Sequence, residues 1–159
     1  MLDLGEEIKK FKFQSHKINE NNLIYLRLSS LDTSISDKDK QIKDAINKLR
    51  SDFEKIKETY TNIEEEGYLL FVEVKSAYKN SVRDEFINMY SNYLFKDITS
   101  VKDILEGTTQ EEEKNVYIAS YDRLSRVFLY GLTFQLLRKL RNINIYTLLE
   151  EEFNFETKN

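Results

Sequence analysis

Residues 36–66, SDKDKQIKDAINKLRSDFEKIKETYTNIEEE, carry the strongest pattern in the chain. Ile42, Ile46, Leu49, Phe53, Ile56, Tyr60 and Ile63 recur at alternating intervals of four and three. That spacing predicts a long amphipathic helix whose apolar seam packs along its whole length. Ser36 and Asp39 form an S-x-x-D entry, and Asp37 and Asp39 suit the positive end of a helix. On the opposite side Lys40, Asp44, Lys48 and Asp52 alternate in sign at i,i+4 spacing, a solvated face whose pairs are worth ~0.3 kcal/mol each. Glu64, Glu65 and Glu66 oppose the helix dipole at the far end, so either Gly67 stops the helix or it runs on in phase through Leu70, Val74 and Ala77.

Outward from this stretch, YLLFVEV in 68–76 is dense in aromatic and β-branched residues and follows Gly67, which favours a buried strand over a continued helix. Upstream, KKFKFQSHK in 9–17 alternates Phe11 and Phe13 with Lys10, Lys12 and Gln14, and LIYLRLSSL sets Ile24, Leu26 and Leu28 against Tyr25, Arg27 and Ser29. With the turn-rich Asn19–Asn22 between them, residues 1–30 read as a β-hairpin. Such a hairpin is marginal alone, and 68–75 supplies the third strand it needs. Downstream, helices are expected at 81–95, 100–106 and 109–141; NINIYTLL could be strand or helix, and the tail FNFETKN is expected to fray. The expectation is therefore a single α+β domain over 1–159, predominantly helical, with a small antiparallel sheet; an all-α bundle is the alternative.

At 159 residues, 40% hydrophobic and with ten Tyr and ten Phe, the chain can bury one sizeable core. Absence of Cys excludes a disulfide framework and thiolate zinc sites, and with no apolar run of leader or membrane length a cytoplasmic setting is expected. A net charge of -4 argues against a general binder of nucleic-acid backbones. The single His16 rules out multi-histidine metal sites and Ser-His triads, and four scattered Gly build no phosphate loop. No cofactor and no metal are expected.

Three features could carry function. Glu73 and Lys75 make an E-x-K on the expected strand, which resembles half the signature of the PD-(D/E)xK nuclease superfamily; the resemblance implies Mg²⁺-assisted phosphodiester hydrolysis, with Glu73 on the metal and Lys75 positioning water. The plainer reading is a charged pair on the solvent side of an edge strand. Arg123, Arg126, Arg138 and Arg141 fall on one side of the last expected helix with Tyr130 and Phe134 between them, a basic, aromatic stripe suited to a protein partner or to single-stranded nucleic acid, or else paired internally. Glu64–Glu66, Glu111–Glu113 and Glu150–Glu152 form three acidic triplets, plain solvated helix ends or a surface complementary to a basic groove.

The expected function is a non-enzymatic protein-binding regulator using Glu64, Glu65, Glu66, Arg123, Arg126, Tyr130, Arg138 and Arg141. Its most concrete form is a small acidic inhibitor of a nucleic-acid-processing enzyme, of the anti-CRISPR or other phage or mobile-element accessory kind. The partner would be a larger protein, with direct nucleic-acid and membrane binding disfavoured. The alternatives are a minimal metal-dependent nuclease using Glu73 and Lys75, and a helical module that self-associates through the seam.

Overall fold

The run NLIYLRLS folds as a strand buried on both faces, β1 (Asn22–Ser29), and the other elements are laid out around it. The computed structural model describes residues 1–13, 17–29, 34, 36–75, 84–94, 112–119 and 142–148. In chain order they form α1 (Leu4–Lys12), β1, α2 (Lys38–Thr59), α3 (Asn62–Glu66), β2 (Leu69–Lys75), α4 (Asp84–Met89) running into a π-helical turn (Tyr90–Leu94), β3 (Lys114–Ile118) and β4 (Ile143–Thr147). The four strands make one sheet in the order β2-β1-β3-β4, and every pairing is parallel.

This overturns the expected antiparallel sheet on a helical body, and the all-α alternative with it: the fold is α/β. The hairpin fails because its first arm is helical. Leu4, Ile8 and Phe11 follow a helical 4, 3 step and pack toward the core, Asp3 caps Glu6 N at 3.3 Å, and Phe11 meets Phe53 edge-on at 5.4 Å. Phe13, the other half of the apparent alternation, is 92% exposed. The helix expected over 109–141 is interrupted at once, because 114–118 is strand; KNVYI carries the β-branched and aromatic residues that a pleated surface accepts. NINIYTLL resolves in favour of strand as β4. The expected helix at 100–106, residues 109–111 and 120–141, His16 and the tail lie outside the described residues.

The 36–66 stretch holds as helix with two adjustments. Asp37, rather than Ser36, is the cap, accepting Lys40 N at 3.0 Å, while Asp39 accepts the Leu2 amide at 3.0 Å. The helix breaks at Tyr60 and resumes as α3, which Gly67 stops at φ 93°. Strand β2 then fulfils the strand reading of 68–76.

The seam faces the sheet. Ile42, Ile46, Leu49, Phe53, Ile56 and Ile63 are buried against Ile24, Leu26, Leu28, Leu70 and Val72. Each such side chain taken fully out of water contributes about 2 kcal/mol before conformational costs. Leu23, Tyr25, Phe71, Val116, Ile118 and Ile143 point the other way, onto Phe86, Met89 and Leu94 of α4 and its π turn. The two helical layers follow from topology. The β1-to-β2 connection leaves in one direction, the β2-to-β3 connection returns past β1 in the other, and right-handed crossovers then put their helices on opposite faces.

Candidate functional site

A sheet whose strands are all parallel has one edge where every strand begins and another where every strand ends. The carboxyl edge carries Ser29, Lys75, Ile118 and Thr147 as the last residues of β1, β2, β3 and β4. Connections leave β1 toward β2 and enter β3 from the other side, so the gap between β1 and β3 is the switch point at which open parallel sheets bind ligands.

Arg27 and Glu73 lie one step inside this edge, as partners in the β1–β2 register. They are 8% and 5% exposed, a cation and a carboxylate held on adjacent strands. Glu73 shares its sheet face with Tyr25: its Oε1 accepts Phe86 N at 3.2 Å and the Tyr25 hydroxyl at 3.5 Å, and its Oε2 accepts Glu85 N at 3.3 Å. Tyr25 is fully buried and meets the Phe86 ring edge-on at 6.0 Å. The carboxylate thus anchors the first turn of α4 to the sheet. Ser29 is the next position of the Tyr25, Arg27 alternation, at the strand end, and pairs in register with Lys75. Chain continuity carries Arg123 and Arg126 five and eight residues past Ile118, the end of β3. These two arginines, with Tyr130, Arg138 and Arg141, lie outside the described residues.

Glu73 is therefore far from the solvent side of an edge strand, where its sequence pattern put it. The signal for Arg27 was available in LIYLRL: a near-continuous apolar run belongs to a strand covered on both faces, and an arginine inside such a run is costly to bury.

The amino edge is different. Asn22, Asn115 and Asn144, adjacent in register on β1, β3 and β4, form a row of amides: Asn115 Nδ2 donates to Asn22 Oδ1 at 3.1 Å and Asn144 Nδ2 to Asn115 Oδ1 at 3.2 Å. Asn22 Nδ2 extends the row to the Gly67 carbonyl at 3.0 Å, and Asn144 Nδ2 also reaches Glu113 at 2.6 Å. Lys114, 2% exposed, donates to the Glu20 carbonyl at 3.0 Å.

The acidic triplet sits on this edge. Lys17 Nζ donates to the Glu65 carbonyl at 2.9 Å and Asn19 Nδ2 to the Glu66 carbonyl at 3.1 Å, which satisfies the helix end that three Glu would otherwise oppose. Lys57 binds Glu64 at 2.9 Å and Glu54 at 3.1 Å. Partial burial would lower the Lys57 pKa, but those two hydrogen bonds and charges outweigh it and raise it above the ordinary lysine value. Burial, which works against the charged form in both, instead raises the Tyr117 pKa; the Asn62 hydrogen bond opposes this, and Tyr146, Glu66 and Glu113 add to it. Glu66 and Glu113, from two separate segments, thus act on one phenol.

Among the described residues no three His, Asp or Glu are grouped to hold a metal ion, and no helix is long and apolar enough to cross a membrane. No protein-family model, no curated protein and no solved structure matches the chain.

Proposed function

We propose that the carboxyl edge of the sheet is a phosphoryl-transfer site acting on nucleic-acid phosphodiesters, with the Ser29 hydroxyl as nucleophile. The observation that carries this reading is Arg27, a cation buried in the central strand one step below Ser29, at the switch point. A guanidinium in a low-dielectric setting attracts a phosphate far more strongly than one in water, and its planar fork matches phosphate oxygens. Arg123 and Arg126, five and eight residues beyond the end of β3 on the chain, are the sequence's candidates for the further cations a pentavalent phosphate requires. A polymeric substrate is favoured because Arg138 and Arg141 with Tyr130 and Phe134 extend the same pattern of cations and aromatic rings.

The chemistry balances without a co-reactant. Ser29 Oγ forms a bond to phosphorus and its proton passes to water; the bond from phosphorus to one sugar oxygen breaks, and that oxygen leaves as a hydroxyl after taking up a proton. The product is a phosphoserine ester that a second hydroxyl can reverse into a new phosphodiester. Incubating the protein with end-labelled DNA and RNA and resolving denatured products by electrophoresis tests this. A labelled protein adduct is expected from the wild type and from Ser30→Ala, and none from Ser29→Ala. An adduct that survives Ser29→Ala, or no adduct with any nucleic acid, sinks the assignment.

The non-enzymatic regulator has support of its own: Glu64–Glu66 and Glu112–Glu113 share the amino edge, a concentration of carboxylates suited to a basic protein groove. Reversing Glu65 and Glu112 to Lys is expected to abolish capture of such a partner while leaving adduct formation intact. Unchanged capture removes the amino edge from that reading. The self-associating module loses its basis, since the sheet covers the seam.

A further inference from the structure

We infer that the groove between α1 and α2 is a second binding site, separate from the carboxyl edge and independent of the Ser29 reaction, and that it takes a nucleoside monophosphate, free or as one unit of a polynucleotide. The groove is fastened at two ends: Asp39 of α2 accepts the Leu2 amide at 3.0 Å, and farther along the two helices Phe11 meets Phe53 at 5.4 Å. Between these contacts lies a cavity of about 250 Å³, toward the lower end of the range for small-molecule sites. Leu2, Ile42 and Ile46 give it an apolar floor, the two isoleucines being buried. Lys43, Asn47 and Arg50 line it from α2 at intervals of four and three, one stripe of that helix, and Glu7 lines it from α1.

The cations of this stripe are left over for a ligand. The acids three or four residues from Lys43 and Arg50 on α2 are Asp39 and Glu54, and both have other partners, Asp39 in the Leu2 amide and Glu54 in Lys57 at 3.1 Å. Glu7 pairs with Lys10 at 3.4 Å. Among the described residues neither Lys43 nor Arg50 has an ion pair. About 10 Å of helix rise separates them, a span that two long side chains can close on one phosphate. The Asn47 amide between them offers a donor and an acceptor to a base edge, the aliphatic floor accepts the face of a base, and the Glu7 carboxylate accepts from sugar hydroxyls. An alkyl carboxylate, the rival occupant, would use the floor and the cations but leave the Asn47 amide and the Glu7 carboxylate without partners.

Titrating the full chain with AMP, followed through its backbone amide NMR signals, tests this. Saturable shifts centred on residues 2, 7 and 42–50 are expected, with a Kd on the order of 0.1 mM for so small a site. Changing Lys43→Gln and Arg50→Gln together is expected to weaken binding at least tenfold at an unchanged melting temperature, because both residues are exposed. A short oligoadenylate that binds more tightly than AMP assigns the site to a polynucleotide, and one that binds no more tightly assigns it to the free nucleotide. Absence of saturable shifts in the groove overturns the inference. So does inorganic phosphate binding as tightly as AMP, octanoate displacing AMP at equal concentration, or AMP affinity unchanged in the double variant. The groove includes no residue of the carboxyl edge, so AMP binding by a protein that forms no adduct upholds the inference and sinks the reaction alone.

Discussion

The two edges of the sheet are made from the same four strands and are built for opposite purposes. At the amino edge polar groups are tied to other segments: Tyr68 N to the Lys17 carbonyl at 3.1 Å, Lys114 N to the Asn142 carbonyl at 3.1 Å, Asn115 N to the Asn21 carbonyl at 2.7 Å, and the Asn22, Asn115, Asn144 row across them. The carboxyl edge instead keeps a buried cation and carboxylate, Arg27 and Glu73, just below its last residues. The difference teaches that strand polarity separates, among the described residues, a fastening from the edge proposed above as a site. It also predicts that substitutions at the two edges affect different observables.

The sharpest break in this comparison pairs Ser29→Ala with Gly67→Ala. The first is expected to remove the nucleic-acid adduct entirely and to cost no more than about 1 kcal/mol of unfolding free energy, the ordinary range for a single substitution. The second is expected to cost about 3 kcal/mol while leaving the adduct rate of the folded fraction unchanged. Gly67 has φ 93°, and an added Cβ would lie 2.8 Å from Lys17 Cγ and 2.9 Å from the Lys17 carbonyl oxygen. Urea unfolding and adduct assays on the same preparations decide it. Loss of adduct in folded Gly67→Ala, or marked destabilisation by Ser29→Ala, would erase the distinction between the edges.

What the sequence made legible follows the same division. The seam from Ile42 to Ile63, the stop at Gly67 and the strand after it were readable because each rests on local signals: a 4, 3 period, a glycine, a β-branched run. Strand direction was not readable, since β1 and β2 are partners separated by two helices, and sequence proximity suggested a hairpin instead. The alternation at Phe11 and Phe13 misled because lysines flank both, whereas the helical step Leu4, Ile8, Phe11 is the one that reaches Phe53. Strand β3 was hidden inside the helix expected over 109–141, although NVYIA carries the β-branched and aromatic residues of a strand. The alternation set Tyr25 and Arg27 opposite Ile24, Leu26 and Leu28 without revealing a second covering layer; α4, on that face, packs on Tyr25, and both residues are buried.

A smaller effect sharpens the fastening. Asn115 is the middle of the amide row, donating to Asn22 and accepting from Asn144. Asn115→Ala breaks both bonds and leaves the Asn22 carbonyl oxygen facing a gap at a residue 2% exposed, an expected loss of about 1 to 3 kcal/mol. The measurement is the urea midpoint at unchanged slope, with the adduct rate as control. Indistinguishable midpoints would mean the row is ornamental to stability and that Gly67 and the Lys17 segment fasten the edge without it.

The smallest effect lies in the alkaline range, at the phenol of Tyr117. Burial chiefly, with Glu66 and Glu113 adding to it, raises Tyr117 above its ordinary value of 10.0, so the folded protein holds that proton more tightly than the unfolded chain does. Stability from such a group is fully present below pH 10 and falls as pH rises through the folded value. Tyr68 and Lys57, both raised, act with the same sign. Tyr117→Phe removes one of the three, since phenylalanine has no proton to lose. Near neutral pH its unfolding free energy should fall within about 1 kcal/mol of the wild type, because the Asn62 contact it gives up is 3.5 Å long. From about pH 10 upward the variant should lose stability more slowly than the wild type, so that the two curves draw together or cross. Parallel curves across that range would place the alkaline sensitivity elsewhere and detach Glu66 and Glu113 from the phenol between them.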